Sequence, residues 1–117
     1  MTVVLTIRET FSRSMTVERP RFLIGRADDC DLRLNNKLIS RHHCLLSVRD
    51  GVIYLRDLKT RNGTGLNNRA VVGECVLQHG DVIWVAATPI GVSIYSHSDA
   101  TFPVTMSEQT TSGFVPC

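Results

Sequence analysis

The sequence predicts an all-β fold, an antiparallel β-sandwich of about ten or eleven short strands. Two observations support this prediction. Short runs of alternating or apolar residues, rich in β-branched side chains, recur between turn-forming residues along most of the chain. No stretch before residue 96 shows a sustained helical period. The 117 residues are enough for one domain with a substantial core and too few for two.

Each predicted strand follows from a local pattern. Pro20 ends the second strand, because proline cannot donate to a strand ladder. Asp50 and Gly51 lie between two long apolar runs and predict a two-residue type I′ hairpin. Thr88 and Pro89 are expected to turn the chain between the last two strands. The predicted strands are residues 2–7, 14–18, 21–24, 31–34, 43–49, 52–57, 69–72, 74–77, 81–86 and 90–95.

The composition changes at the end of the last predicted strand. Residues 96–117 include eight serines and threonines, a bias typical of flexible segments. We therefore expect a folded domain over residues 1–95 and a Ser/Thr-rich tail or linker over residues 96–117.

Bulk composition argues against two classes of partner. The formal net charge is +2 and only 6% of the residues are aromatic, which gives little support to nucleic-acid binding. The apolar runs are far shorter than the roughly 20 residues that a membrane span needs, so no membrane partner is expected.

The cysteines and the N-terminus predict a cytoplasmic protein. Residues 30, 44, 75 and 117 are cysteines at wide spacing without a C-x-x-C motif, so we expect free thiols and neither a metal site nor a cofactor. No basic segment followed by an apolar one opens the chain, so no secretion signal is expected.

Positive charge and hydrogen-bond donors are concentrated in the connections between central strands. Nine basic residues and five aspartates lie between residues 26 and 69. Arg26 follows one predicted strand, Ser40 and Arg41 precede another, and Arg61 and Asn62 lie in a turn-rich stretch. We expect these connections to meet at one end of the sandwich and to hold a phosphate group.

Two other interpretations of the same residues stay open at this point. Arg26 could form a surface ion pair with Asp28 or Asp57. Ser40 beside a histidine could indicate a hydrolase, but no G-x-S-x-G motif is present, so we expect no enzyme and no catalytic residue.

The ordered set of motifs resembles the forkhead-associated (FHA) family over roughly residues 5–95. Each motif alone is weak evidence for the family, but the order and spacing of the whole set make the resemblance specific. The pieces are Phe22-Leu23-Ile24-Gly25-Arg26, Ile39-Ser40-Arg41-His42-His43, Asp57-Leu58-Lys59-Thr60-Arg61-Asn62-Gly63-Thr64, Asn67 and Gly80-Asp81-Val82-Ile83.

The resemblance implies an FHA/SMAD-like sandwich that binds phosphothreonine peptides and acts as a signalling adaptor. Its partners would be proteins phosphorylated by a Ser/Thr kinase, or such a kinase itself. The alternative is a phosphate-independent FHA-like scaffold or assembly domain. The implied phosphopeptide-binding residues are Arg26, Ser40, Arg41, Arg61 and Asn62, and the implied supporting residues are Gly25, His43, Thr60 and Gly63.

The sequence departs from the family pattern at four positions. The family usually has Gly-Ser where this chain has Lys59 and Thr60, and Thr60 keeps the hydroxyl. It often has Gly in place of Asn68, and asparagine also tolerates positive φ. Arg61 replaces a frequent Thr or Ser and adds a charge that could alter which peptides bind.

Overall fold

The computed structural model describes residues 1–9 and 11–96, which form eleven strands. Apart from Ser96, the predicted tail lies outside the described residues, so its separation from the domain stays a prediction. The strands are β1 (Thr2–Ile7), β2 (Arg13–Val17), β3 (Arg21–Gly25), β4 (Leu32–Arg33), β5 (Cys44–Arg49), β6 (Val52–Asp57), β7 (Thr64–Leu66), β8 (Arg69–Ala70), β9 (Glu74–Val76), β10 (Val82–Val85) and β11 (Thr88–Tyr95).

The strands build two sheets, which confirms the predicted all-β sandwich. One sheet has the order β2-β1-β11-β10-β7-β8 and the other has the order β4-β3-β5-β6-β9. The described strand pairs are antiparallel, except that β4 runs parallel to β3. β1 buries every second side chain, and so does most of β6, as expected for strands with one face on a core. Buried residues from both sheets form one apolar cluster between them.

The hairpin between β5 and β6 has the predicted form. Arg49 pairs with Val52, and Asp50 and Gly51 have φ values of 51° and 76°. Positive φ at both central residues is the requirement of a type I′ turn.

Two local predictions are wrong. The structure places a strand, β7, within the turn-rich residues 58–68, where the sequence predicts no strand. It also places the last turn at Ala86 and Ala87, so that Thr88 and Pro89 lie in β11. Ala86 has a φ of 56°, which alanine rarely adopts, so composition gave no sign of this turn. Pro89 is tolerated because it lies near the start of its strand.

The described residues also bear on the cysteines and on membranes. Free thiols are confirmed at Cys30 and Cys44, whereas Cys75 is disulfide-bonded, which contradicts the expectation for that residue. Within residues 1–9 and 11–96, no helix is long and apolar enough to cross a membrane. The predicted cytoplasmic location stays a prediction.

Gly25 ends β3 at the place where the next connections begin. It is buried, and a Cβ atom at this position would collide with the backbone carbonyl of Arg41 and contact the sulfur of Cys30. Only glycine therefore lets β3 approach the β4–β5 connection this closely.

Gly25→Ala is expected to lower the free energy of unfolding by about 1–3 kcal/mol, because backbone must move to admit the methyl group. Gly91→Ala is the matched control. A Cβ on Gly91 would meet its nearest atoms at 3.8 and 3.9 Å, which is ordinary contact, so its effect should stay within about 1 kcal/mol. Urea denaturation of both variants tests this, and equal losses would contradict the packing argument.

Candidate functional site

Three connections meet at one end of the sandwich: residues 26–31 after β3, residues 34–43 before β5, and residues 58–63 after β6. The first two are joined by backbone hydrogen bonds. Arg26 N–H donates to the carbonyl of Ser40 and Ala27 N–H donates to that of Arg41, both at 3.0 Å. These bonds fix the serine and both arginines on one short stretch of surface.

The side chain of Arg26 is oriented by the neighbouring connection. It is partly buried, and its Nε donates to the carbonyl of Ile39 at 3.0 Å. A guanidinium carries five N–H donors, so its terminal amino groups stay available for an anion. The alternative ion pair is not formed: Asp28 lies 3.3 Å from Arg33, and Asp57 accepts hydrogen bonds from threonines.

His43 joins the second and third connections. Its side chain is fully buried, its Nδ1 accepts the N–H of Ser40 at 3.0 Å, and its Nε2 lies 2.8 Å from the carbonyl of Gly63. An N–H faces one ring nitrogen and a carbonyl faces the other, so these partners require a neutral imidazole with its proton on Nε2. His43 thus holds Ser40 at a fixed place relative to the third connection.

The third connection is shaped by Asp57 at the end of β6. Its carboxylate accepts bonds from the hydroxyl of Thr60 at 2.9 Å, the N–H of Thr60 at 3.2 Å and the hydroxyl of Thr64 at 2.6 Å. The Thr60 hydroxyl also accepts the N–H of Gly63 at 2.9 Å. Burial raises the pKa of Asp57, but the bonds from Thr64 and Thr60 outweigh it and hold the pKa below its ordinary value of 3.8.

Asn62 closes the arrangement. Its Nδ2 donates to the carbonyl of Leu38 at 2.7 Å, which ties the third connection to the second. An amide has a second N–H and a carbonyl oxygen, and both can bind the backbone of a peptide.

The predicted binding residues line one surface pocket of about 300 Å³. Four of its lining side chains are cationic and none is a carboxylate, so the pocket suits an anion. Its lining residues are Arg26, Lys37, Leu38, Ile39, Ser40, Arg41, Arg61 and Asn62.

The structure also places the residues predicted to support the site. Gly25 lies against Arg41, and Thr60 lies between Asp57 and Gly63. Gly63 has a φ of 78°, in the left-handed region that favours glycine. His43 contacts two connections, as described above.

Sequence reasoning missed two residues of the site. Asp57 was considered only as a motif residue and a possible ion-pair partner of Arg26, although Asp-x-x-Thr is a recognisable pattern for side chains that bond nearby backbone. Lys37 was counted as basic but not assigned to the pocket. Positive φ occurs at Asn67 (57°) and Lys59 (59°), not at the expected Asn68. Lys59 therefore adopts the left-handed conformation at a position where the family usually has glycine.

The fold and the site define a β-sandwich module with a cationic pocket built by loops at one end. The FHA domain family model matches residues 22–86, more than half of the chain. The chain therefore belongs to the FHA family.

Among curated proteins, the chain is 27% identical over 81 residues to the proliferation marker protein Ki-67 of Mus musculus. The match covers 69% of this chain but only 2% of Ki-67, so the chain corresponds to a small part of that relative.

Two solved structures have closely similar folds. One comes from work on phosphothreonine-dependent FHA domain interactions, with a TM-score of 0.77 and 31% identity; the match covers 82% of this chain and 99% of the other. The second is the FHA domain of FhaA in complex with the intracellular domain of Rv3910, with a TM-score of 0.72 and 33% identity. That match covers 77% of this chain and 98% of the other.

His43→Ala is expected to lower the free energy of unfolding by about 2–4 kcal/mol, because it opens a cavity and leaves buried polar groups unpaired. His42→Ala removes a histidine side chain from the adjacent position, where it is exposed and contacts Asp29 at the surface. It should lower the free energy of unfolding by less than about 1 kcal/mol. Thermal unfolding of both variants is the measurement. Similar losses for the two histidines would contradict the bridging role of His43.

Asp57→Asn is expected to destabilise the protein by about 1–2 kcal/mol at pH 7, since the amide cannot accept all three hydrogen bonds. Because folding lowers the pKa of Asp57, the ionised carboxylate contributes stability above its unfolded pKa of 3.8. That contribution disappears as the pH falls through the lower folded value. Urea denaturation from pH 7 down to pH 3 should show the variant and the parent converging, and a constant gap would refute this.

Proposed function

We propose that this domain binds phosphothreonine-containing peptides reversibly and acts as an adaptor without catalysing a reaction. Phosphothreonine carries a charge of about −1.5 to −2 and three strong acceptor oxygens, and so requires donors and positive charge. The observation that carries the proposal is the single pocket in which residues from three connections meet without a carboxylate.

Each side chain of the pocket would have a distinct part. Arg26 would meet two phosphate oxygens with its planar fork, and Ser40 would add a hydroxyl donor. Arg41 and Arg61 would supply further charge from either side. Asn62 would pair with the peptide backbone beside the phosphate, while its bond to Leu38 keeps the amide in place.

Simple energetics make such binding feasible. Charge-assisted hydrogen bonds contribute roughly 1.5–3 kcal/mol each. Two or three of them, together with backbone contacts, reach the roughly −8 kcal/mol of a micromolar complex. The structure from phosphothreonine-dependent FHA interactions, at 31% identity, supports the same chemistry here. By this proposal the partners are substrates of a Ser/Thr kinase, or the kinase itself.

Arg26→Ala is expected to weaken phosphopeptide binding by at least about 100-fold, because two charge-assisted bonds are lost. Isothermal titration with a degenerate phosphothreonine peptide pool measures the loss. Arg56→Ala, which removes an equal charge from the exposed face of β6, should leave the affinity unchanged. An Arg26→Ala variant that binds as tightly as the parent would refute the proposal.

The peptide itself provides a second comparison. Replacing phosphothreonine by glutamate should nearly abolish binding, because a carboxylate offers fewer oxygens and less charge. Equal affinities for phosphorylated and unphosphorylated peptides would instead favour the phosphate-independent scaffold.

A further inference from the structure

The pocket holds more positive charge than one phosphate neutralises. Arg26, Lys37, Arg41 and Arg61 line it, and none of these four belongs to an ion pair among the described residues. A phosphothreonine supplies at most about two negative charges. Roughly two cationic side chains would therefore stay uncompensated once the phosphate is bound.

The neighbouring surface shows that this excess is local. An adjoining pocket shares Arg26 and Arg41 but is also lined by Asp28 and Asp29. There Asp28 lies 3.3 Å from Arg33, and Asp29 lies 2.9 Å from His42 and also interacts electrostatically with Arg41. Lys37 and Arg61 do not line this adjoining pocket, so the excess positive charge belongs mainly to these two side chains.

Backbone contacts divide the four cations into two groups. Arg26 and Arg41 lie at the Ser40 side, where Arg26 N–H bonds the Ser40 carbonyl and Arg41 directly follows the serine. Lys37 and Arg61 line the same pocket but, unlike Arg26 and Arg41, not the adjoining one that contains the aspartates.

One hydrogen bond brings that second pair together. The 2.7 Å bond from Asn62 to the Leu38 carbonyl joins the residues that directly follow Arg61 and Lys37. Lys37 also lies in a tight turn, closed by the bond from Ile39 N–H to the Asn36 carbonyl at 3.0 Å. Both side chains are exposed, so they are free to meet a ligand.

We propose that Lys37 and Arg61 form a second anion-binding subsite, so that the preferred ligand carries another phosphate or carboxylate near its phosphothreonine. This inference rests on the proposed function. It narrows the ligand from any phosphothreonine peptide to a multiply phosphorylated or acidic one. The backbone contacts of Asn62 would lie between the two subsites and set the spacing of the charged groups.

The test compares pools of nonapeptides with a central phosphothreonine and otherwise uncharged, degenerate positions. In one series a phosphoserine is placed in turn at each flanking position, and in a second series an aspartate is placed there. Fluorescence polarisation gives the gain, which is the affinity of each pool divided by that of the singly phosphorylated pool. We expect a gain of about tenfold or more for phosphoserine in at least one position, decreasing as salt is raised. The aspartate series shows whether a carboxylate suffices.

Lys37→Gln combined with Arg61→Gln should reduce that gain to about twofold or less, whatever it does to the singly phosphorylated pool. Arg21→Gln combined with Arg56→Gln is the control, because both arginines are exposed on strands outside the pocket and the net charge changes equally. This control should keep the full gain.

The outcomes separate this inference from the proposed function. No gain at any position, or a gain that survives in the Lys37/Arg61 variant, overturns the second subsite while phosphate-dependent binding stands. Equal binding of phosphorylated and unphosphorylated pools overturns the proposed function and this inference with it. Binding of doubly phosphorylated pools alone supports both.

Discussion

The pocket-bearing end of this domain depends on one buried imidazole. A polar group without a partner in the interior costs about 1–3 kcal/mol, so the ring of His43 is stable only where both nitrogens find the right neighbours. Those neighbours are Ser40 N–H and Gly63 C=O, which belong to connections far apart along the chain. The dependence is mutual. The connections supply the hydrogen-bond partners of the ring, and the ring in turn holds the connections in position. Residues that line the pocket are therefore positioned by a residue that is itself fully buried.

Further hydrogen bonds hold the third connection in place beside the pocket. Asp57 shapes the third connection through the hydroxyls of Thr60 and Thr64, and Asn62 closes it against Leu38. The bonds from the two threonine hydroxyls join side chain to side chain, and the bond from Asn62 joins a side chain to the backbone, so fixed side chains position the third connection. Connections held in this way lose little freedom on binding, and preorganisation of this kind favours affinity.

Much of the fold could be predicted from the sequence because strand signals are local. Alternation predicted β1, and two apolar runs around Asp50 and Gly51 predicted the β5–β6 hairpin, whose positive φ values these two residues tolerate. β7 and the Ala86 turn were missed for the opposite reason. β7 is three residues long and gains stability from pairing with β10, which no local pattern reveals. Ala86 adopts positive φ because the tertiary structure overrides its preference.

The candidate site was accessible to sequence reasoning in part. Chemical type and position between strands singled out Arg26, Ser40 and Asn62. The hydrogen bonds that bring them together depend on folding, and so did the inclusion of Lys37, whose charge is meaningful only beside Arg61. Isolated charges in a sequence carry no information about their neighbours in space.

The pairing of the first strand with the last has a consequence for the architecture of larger proteins. Thr2 is the Cα partner of Tyr95. The other end of the pair, at Ile7 and Ile90, lies next to the Ala86 turn, whose N–H bonds the carbonyl of Gly63 in the third connection. At about 3.4 Å per residue, entry and exit points lie side by side, roughly 17 Å from the loop-bearing end. This domain could therefore be inserted into a longer polypeptide. Both connections to the rest of that chain would lie at the end opposite the pocket and would not block access to it.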